Sequence, residues 1–350
     1  MSRFFSKKYD MLTPYTPGEQ PRDKSYIKLN TNESPFPPSP YAMRLSRQAA
    51  ANLQLYSDPT CTKLVEIACE KHGVEKDEII FTNGSDEILY FTFMAFCDEE
   101  RPVAFPDITY GFYPVFAKLN NVPFEEIPLD DDFSIRVSDY IGINKNIFIA
   151  NPNAPTGMTL PLCDIEKIVK SNPDNIVVID EAYIDFGGES AIPLTKIYDN
   201  ILVTRTFSKS YSLAGARLGF GIGSKKLIAD INTIKYSTNP YNVNTLTMYA
   251  GIGALADESY FEKCIKTIRD NRAFVTEELK KLSFTVLDSK SNFLFAKTEK
   301  MGGKELYLAL KEKGILVRHF DKERIKDYIR ITIGDIEDMK TLLSVLEEIL

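Results

Sequence analysis

Hydrophobic residues along this chain come as short unbroken runs set between longer stretches with helical spacing. The runs EIIFT (78–82), PVAFP (102–106), NIFIA (146–150), NIVVID (175–180), NILVTRTF (200–207) and LGFGIG (218–223) predict strands. They show no polar alternation, so they predict strands covered on both faces, as in a parallel sheet with helices between its strands. From about 45 to 72 helical spacing dominates, and KLVEIACEKHG stops at Gly73, a helix terminator. Residues 1–40 are polar and proline-rich, ending in SPFPPSP, which predicts an extended arm. Beyond about 245 a helical stretch leads to a second pattern. There FTVLD, NFLFAK, ILVRHF and YIRITIG read as strands, and GKELYLALKEKG and DIEDMKTLLSVLEEIL as helices. The expected organisation is an N-terminal arm (1–45), a large α/β domain with a mostly parallel sheet (46–245) and a smaller C-terminal α/β domain (246–350). No internal repeat or low-complexity segment interrupts it.

Composition narrows the class. Hydrophobic residues make up 44% and charged residues 26%, as in ordinary globular proteins. The net charge of −7 argues against a nucleic-acid partner held by bulk electrostatics, so any phosphate site must be local. No run approaches the roughly 18 apolar residues of a membrane span. The first residues lack the apolar core of a secretory signal. Five cysteines without CxxC spacing read as reduced thiols, which points to the cytoplasm. Two histidines make a His-rich metal site improbable, and no metal is expected.

In an open parallel sheet, ligands bind beyond the carboxyl ends of the strands. The unusual polar residues of this chain follow its strands. NGSDE after strand 78–82 opens a helix at Gly84, Ser85 and Asp86, which serves either as a phosphate seat or as a plain helix cap. Tyr110 after strand 102–106 can stack a planar ligand or simply pack. The asparagines of NPNAPTG (151–157) can donate to a ligand or merely serve a turn. Asp180 ends a buried strand, where a carboxylate is costly unless paired with an arginine, a metal or a protonated ring nitrogen. TFSKSYSLAGARLGF (206–220) places Lys209 among hydroxyls, with Arg217 eight residues on. Lys209 alone reads as a solvated loop lysine or as a Schiff-base nucleophile. Thr206, Ser208 and Arg217 offer donors for a phosphate. Taken jointly, phosphate seat, aromatic platform, buried acid, amine and arginine match the needs of pyridoxal 5'-phosphate. In DYIRITIG, period two places Tyr328, Arg330 and Thr332 on one face and Ile329, Ile331 and Ile333 on the other. Arg318 and Arg330 on separate strands suit an anionic ligand, or pair with nearby acids.

VIDEAYIDF and RTFSKSYSLAGARLGF resemble the fold-type I pyridoxal-phosphate-dependent aminotransferases. With KLNTNESPFPPSP, LYSDPT, FTNGSDEIL, PDITYGFY, NPNAPTG, GILVRHF and YIRITIG in order, the resemblance spans nearly the whole chain and narrows to the histidinol-phosphate aminotransferases. It implies that Lys209 carries the cofactor as a Schiff base and then shuttles the proton. It implies that Asp180 faces the pyridine nitrogen, that Tyr183 bonds the ring oxygen and that Tyr110 stacks on the ring. Ser85, Asp86, Thr206, Ser208 and Arg217 would hold the phosphate, and Tyr56 would reach the partner's phosphate across a homodimer. Tyr15, Asn32, Arg318 and Arg330 would bind substrate. The implied reaction is transamination of L-histidinol phosphate with 2-oxoglutarate, giving imidazole acetol phosphate and L-glutamate.

One position departs from the family pattern. Asparagine is usual immediately before Pro-Thr-Gly, donating to the ring oxygen, and here the residue is Ala154. Asn153, or else Asn151, is the expected substitute, with Tyr183 acting alone if neither reaches. Four rival readings remain, one of them a catalytically dead binding protein, against which the intact lysine, acid and arginine argue. Two share the fold: a threonine-phosphate decarboxylase and an aromatic-amino-acid aminotransferase. The last, a nucleotide site at GFGIGSKK (219–226), matches neither GxxxxGK[ST] nor GxGxxG.

Overall fold

The computed structural model describes residues 2–10 and 12–350. In chain order, β1 (Ile27–Lys28), α1 (Pro40–Ala49) and α2 (Thr62–His72) come first. β2 (Ile79–Thr82), α3 (Ser85–Phe96), β3 (Val103–Pro106), α4 (Tyr113–Leu119), β4 (Phe124–Ile127), β5 (Asn146–Ala150), α5 (Leu162–Ser171), β6 (Val177–Asp180), β7 (Ile201–Thr206) and β8 (Gly219–Gly223) build the large lobe. α6 (Lys225–Thr238), α7 (Thr245–Ala256) and α8 (Glu258–Lys281) lead out of it. β9 (Phe284–Val286), β10 (Phe293–Thr298), α9 (Gly303–Glu312), β11 (Ile315–Leu316), β12 (Arg318–His319), β13 (Ile329–Thr332) and α10 (Ile336–Ile349) complete the chain.

The seven-stranded sheet has the order β2-β8-β7-β6-β5-β3-β4, and β8 alone runs against its neighbours. All six expected runs are strands. The connection 207–218 holds no α-helix, so the chain turns straight back and β8 enters antiparallel. The apolar runs divide by period two between two cores. Ile147, Ile149, Val177, Ile179, Ile201 and Val203 face one cluster, while Phe148, Val178 and Leu202 face the other. The edge strand β4 escapes the hydrophobic pattern because Glu125 and Glu126 are exposed there.

Four features depart from the sequence expectation. The helical region breaks between α1 and α2, and α1 begins inside the proline-rich segment at Pro40. Pro40 lies at the start of that helix, where its missing N–H is harmless, and Ser39 caps the end by accepting from the Ala42 N–H. The arm is tied down, because β1 pairs in parallel with β11 and Leu29 enters the small lobe's core. GILVRHF breaks at Val317 into β11 and β12, which join different sheets. The change of core falls later than residue 246. Met248, Ala250 and Leu255 of α7 lie in the large lobe's core, and Ile265, Ile268 and Val275 of α8 in the small lobe's. Among the described residues no helix is long and apolar enough to cross a membrane.

The glycines of GFGIG belong to β8 and let it lie against α3. A Cβ on Gly219 would stand 2.4 Å from the Ser85 nitrogen and 2.6 Å from the Gly84 carbonyl carbon. Gly219→Ala should therefore destabilise the protein by about 1–3 kcal/mol in urea unfolding, because backbone atoms cannot yield as side chains do. Gly215→Ala, with nothing within 4 Å of its Cβ, is the control and should change stability little.

Candidate active site

A cavity of about 390 Å³ opens where the strands of the large sheet end. Each strand end contributes: Ser85 and Asp86 after β2, Tyr110 after β3, Ala154 after β5, Asp180 and Tyr183 at β6, and Thr206, Ser208 and Lys209 at β7. The N-terminal segment supplies Tyr15 and Asn30–Asn32, and the small lobe supplies Arg318 and Arg330. Parallel strands bring these distant residues together because their carboxyl ends lie at one edge.

Asp180 is 4% exposed, and its carboxylate accepts from Tyr113 Oη at 3.2 Å and Thr204 Oγ1 at 3.3 Å. Burial, with Asp86 nearby, pushes it up to about 6, against hydrogen bonds that favour its charged form. Among the described residues no cation forms an ion pair with it. Lys209 Nζ donates to the Thr31 carbonyl at 3.1 Å. Burial, then the Arg330 charge, pulls this amine down to about 8. The site thus holds a buried acid that lacks a cation and an amine poised to lose its proton.

The phosphate donors meet at the start of α3. Gly84 stands at the cap with φ +85° and leaves the helix without a side-chain cap, so first-turn N–H groups remain for a ligand. Arg217, itself at φ +56°, reaches the Asp86 carboxylate at 2.8 Å and the Ser208 hydroxyl at 3.5 Å. Asp86 also accepts from Tyr110 Oη at 2.6 Å, joining the aromatic platform to the arginine. The Thr206 hydroxyl accepts from the Ser208 N–H at 3.1 Å and shapes the turn.

Arg318 and Arg330 are direct partners on β12 and β13. Two like charges in that register repel unless an anion or dipoles intervene. Arg318 donates to the Thr16 and Pro17 carbonyls, and Arg330 to the Asn30 carbonyl at 3.1 Å. Neither meets a carboxylate among the described residues, so the ion-pair alternative does not hold. Arg330 Nε is buried without a partner, and its guanidinium lies over the Phe293 and Phe320 rings. Tyr15 stacks on Phe112 at 4.2 Å, beside Tyr110.

Asn153, expected to reach the ring, does not line the cavity. Its amide donates to the Ile108 carbonyl and Thr156 hydroxyl, and its oxygen accepts from Thr109. Asn151 is likewise closed onto Leu160 by two bonds. The turn needs both side chains for its own backbone, which leaves Pro152, Ala154 and Pro155 on the cavity wall. Asn32 sends its amide to Tyr183 Oη at 3.0 Å. Tyr56 is 84% exposed, stacked on Tyr241 at 4.7 Å and outside this cavity.

Sequence reasoning missed Tyr113, Thr204, the Asp86 carboxylate and the Thr31 carbonyl. Thr204 carried a signal, since it shares a strand face with Thr206. It also missed a buried support behind the site. Glu181 accepts from the Ala191 N–H and the Ser190 hydroxyl, and Arg205 bonds Asp185 and lies 3.9 Å from Glu181. This pair links β6 and β7 immediately beside Asp180 and Thr206.

The donors fit pyridoxal 5'-phosphate: an amine for its aldehyde, an uncompensated acid for its ring nitrogen, and an open helix end with arginine for its phosphate.

Comparisons with known proteins agree. Residues 24–346 match the family model for aminotransferase class I and II. The chain is 49% identical to a histidinol-phosphate aminotransferase of Brachyspira hyodysenteriae, covering 100% of this chain and 99% of that protein. It is 46% identical to one of Clostridium beijerinckii, covering 100% and 98%. The solved histidinol-phosphate aminotransferase of Clostridium acetobutylicum superposes with a TM-score of 0.85 at 25% identity, over 92% of this chain and 98% of that one. The Sinorhizobium meliloti enzyme, solved with pyridoxal-5'-phosphate, has the same fold, with a TM-score of 0.85 at 22% identity over 93% of each chain.

The depressed amine has a direct test. Folding holds Lys209 below its unfolded value, so its charged form costs stability below pH 8, and that cost fades as pH rises. Trace reductive methylation of the cofactor-free protein, read by mass spectrometry across pH, should show Lys209 reacting with a midpoint near 8. A midpoint near the ordinary value of about 10.4 would refute the burial argument.

Proposed function

The chain belongs to the class I and II aminotransferases, and on that premise we propose that it transfers the amino group of L-histidinol phosphate to 2-oxoglutarate, and the reverse, as a step of histidine biosynthesis. The observation that carries this reading is the enclosure, in one cavity, of Lys209 and Asp180 with the unpaired guanidinium groups of Arg318 and Arg330. Similarity to histidinol-phosphate aminotransferases over the full chain supports the choice of substrate.

Bound pyridoxal phosphate would supply an electron sink and an aldehyde that condenses with an amine, releasing water. The chain supplies the rest. Lys209 Nζ holds the cofactor and then takes and returns the proton at the substrate carbon bearing nitrogen. Asp180 would keep the ring nitrogen protonated, and a cation there would draw the acid back below about 6. Ser85, Asp86 (through backbone N–H), Thr206, Ser208 and Arg217 hold the phosphate, and Tyr110 faces the ring. Arg318 and Arg330 receive the anionic end of the substrate, with Tyr15 closing the arm side. Arg330→Ala should lower kcat/KM for histidinol phosphate by about 10- to 150-fold, the value of a lost charged hydrogen bond.

A homodimer belongs to the same reading. Leu53, Leu55, Tyr56, Tyr236 and Tyr241 are all exposed, Tyr56 stacks on Tyr241, and Tyr56 lies outside its own chain's cavity, free to serve a second copy. Sedimentation equilibrium should give twice the 39.7 kDa chain mass. A fully active monomer would contradict that assembly. Cytoplasmic location, supported by five free cysteines, completes the proposal.

A substrate panel tests the function. Histidinol phosphate should be turned over well ahead of threonine phosphate and phenylalanine. Lys209→Ala should lose on the order of 10²–10⁴ in rate. Preference for phenylalanine, carbon dioxide release from threonine phosphate, or near-normal turnover by Lys209→Ala would overturn it.

A further inference from the structure

Asn32 is 1% exposed and held at φ +55°. Its N–H donates to Thr332 Oγ1 at 3.0 Å, and its side-chain oxygen accepts the proton of that same hydroxyl at 3.1 Å. Its carbonyl accepts from Asn292 Nδ2 at 3.0 Å. This arrangement fixes which way the amide faces. The Thr332 hydroxyl, already accepting from the Asn32 N–H, has its one proton to give, and that proton needs the amide oxygen. The amide nitrogen must then face Tyr183 Oη, 3.0 Å away.

The consequence falls on Tyr183. A phenol has one proton, and its oxygen here accepts from Asn32. Among the described residues Tyr183 donates to nothing. The opposite wall of the turn, Pro152, Ala154 and Pro155, offers no side-chain donor, since Asn151 and Asn153 are turned into their loop. We propose that Asn32 is a positioning residue whose amide compels Tyr183 to donate its proton to an oxygen of the bound cofactor. Asn32 then acts through Tyr183 and does not touch the substrate. The inference rests on the pyridoxal-phosphate reading above.

The test uses the holoenzyme and the pH midpoint of its visible band, a readout separate from activity. A donated hydrogen bond drains charge from the ring oxygen beside the lysine linkage. Without it that linkage keeps its proton to higher pH. Tyr183→Phe should raise the midpoint by roughly one unit, a tenfold change in proton affinity. Asn32→Asp keeps the shape but cannot donate from a carboxylate, so the Tyr183 proton turns toward residue 32. It should raise the midpoint comparably and loosen cofactor binding. Its added charge would act on the linkage even without Tyr183, so the double variant decides. In the Tyr183→Phe background only that direct charge effect remains, so Asn32→Asp should add a clearly smaller shift than it gives alone. Asn32→Ala, the uncharged second variant, offers Tyr183 neither donor nor acceptor, so the phenol keeps its bond to the cofactor oxygen but is held less firmly, and the midpoint should rise by less than in Asn32→Asp. An unshifted midpoint with a raised KM for histidinol phosphate would make Asn32 a substrate contact and overturn the inference. An Asn32→Asp shift that persists undiminished without the Tyr183 hydroxyl would overturn it also. If the wild-type protein shows no visible band with pyridoxal phosphate, the cofactor reading itself fails and takes the inference with it.

Discussion

Everything at this site follows from holding an acid and an amine out of water at one edge of a sheet. Asp180 is buried with two hydroxyls and a backbone N–H but, among the described residues, no cation for a partner, and Lys209 is buried against a backbone carbonyl. Neither arrangement neutralises its charge. Burial therefore moves both groups toward neutrality, the acid upward and the amine downward. A ligand that brings a cation to the first and a carbonyl to the second relieves both costs. The stability that burying these two groups costs is thus returned as binding and reactivity toward one class of ligand.

The surrounding fold keeps that arrangement from collapsing. β6 and β7 carry Asp180 and the lysine turn, and behind them Glu181, Arg205 and Asp185 form a buried charged set. Glu181 is itself pushed up to about 7 by burial, although Arg205 opposes this. The reversal of β8 brings Gly219 against the start of α3, which holds the open helix end beside Arg217. The acid, the amine and the phosphate seat are therefore anchored on one rigid sheet.

The substrate side is built differently. It lies between lobes, where the segment Asn30–Asn32 joins the small lobe to the cavity. The Asn30 carbonyl holds Arg330, the Thr31 carbonyl holds Lys209, and Asn32 bonds Tyr183 and Thr332. Arg318 meanwhile grips the arm through the Thr16 and Pro17 carbonyls. These are neutral partners for charged groups, so an incoming anion can compete for both arginines without breaking an ion pair.

The chain's own sequence determined the strands, the α/β class and most of the residues that meet in the cavity. Apolar runs of strand length and polar residues after them are local signals, and the order of motifs resembled one family throughout. Lys209, Asp180, Tyr110 and Tyr183 were legible as candidates because each ends or follows such a run, and Arg217 because it directly precedes one. Tertiary structure alone decided where the asparagines go. Asn153 and Asn32 are both polar residues in turns, and no local pattern separates one that closes its own loop from one that reaches Tyr183 across 151 residues. It also decided that β8 runs backward and that, of the helices after residue 245, α7 packs in the large core and α8 in the small one. Hydrophobic periodicity reports which face of an element is buried. It carries no information about what that face is buried against, because that depends on contacts distant in sequence.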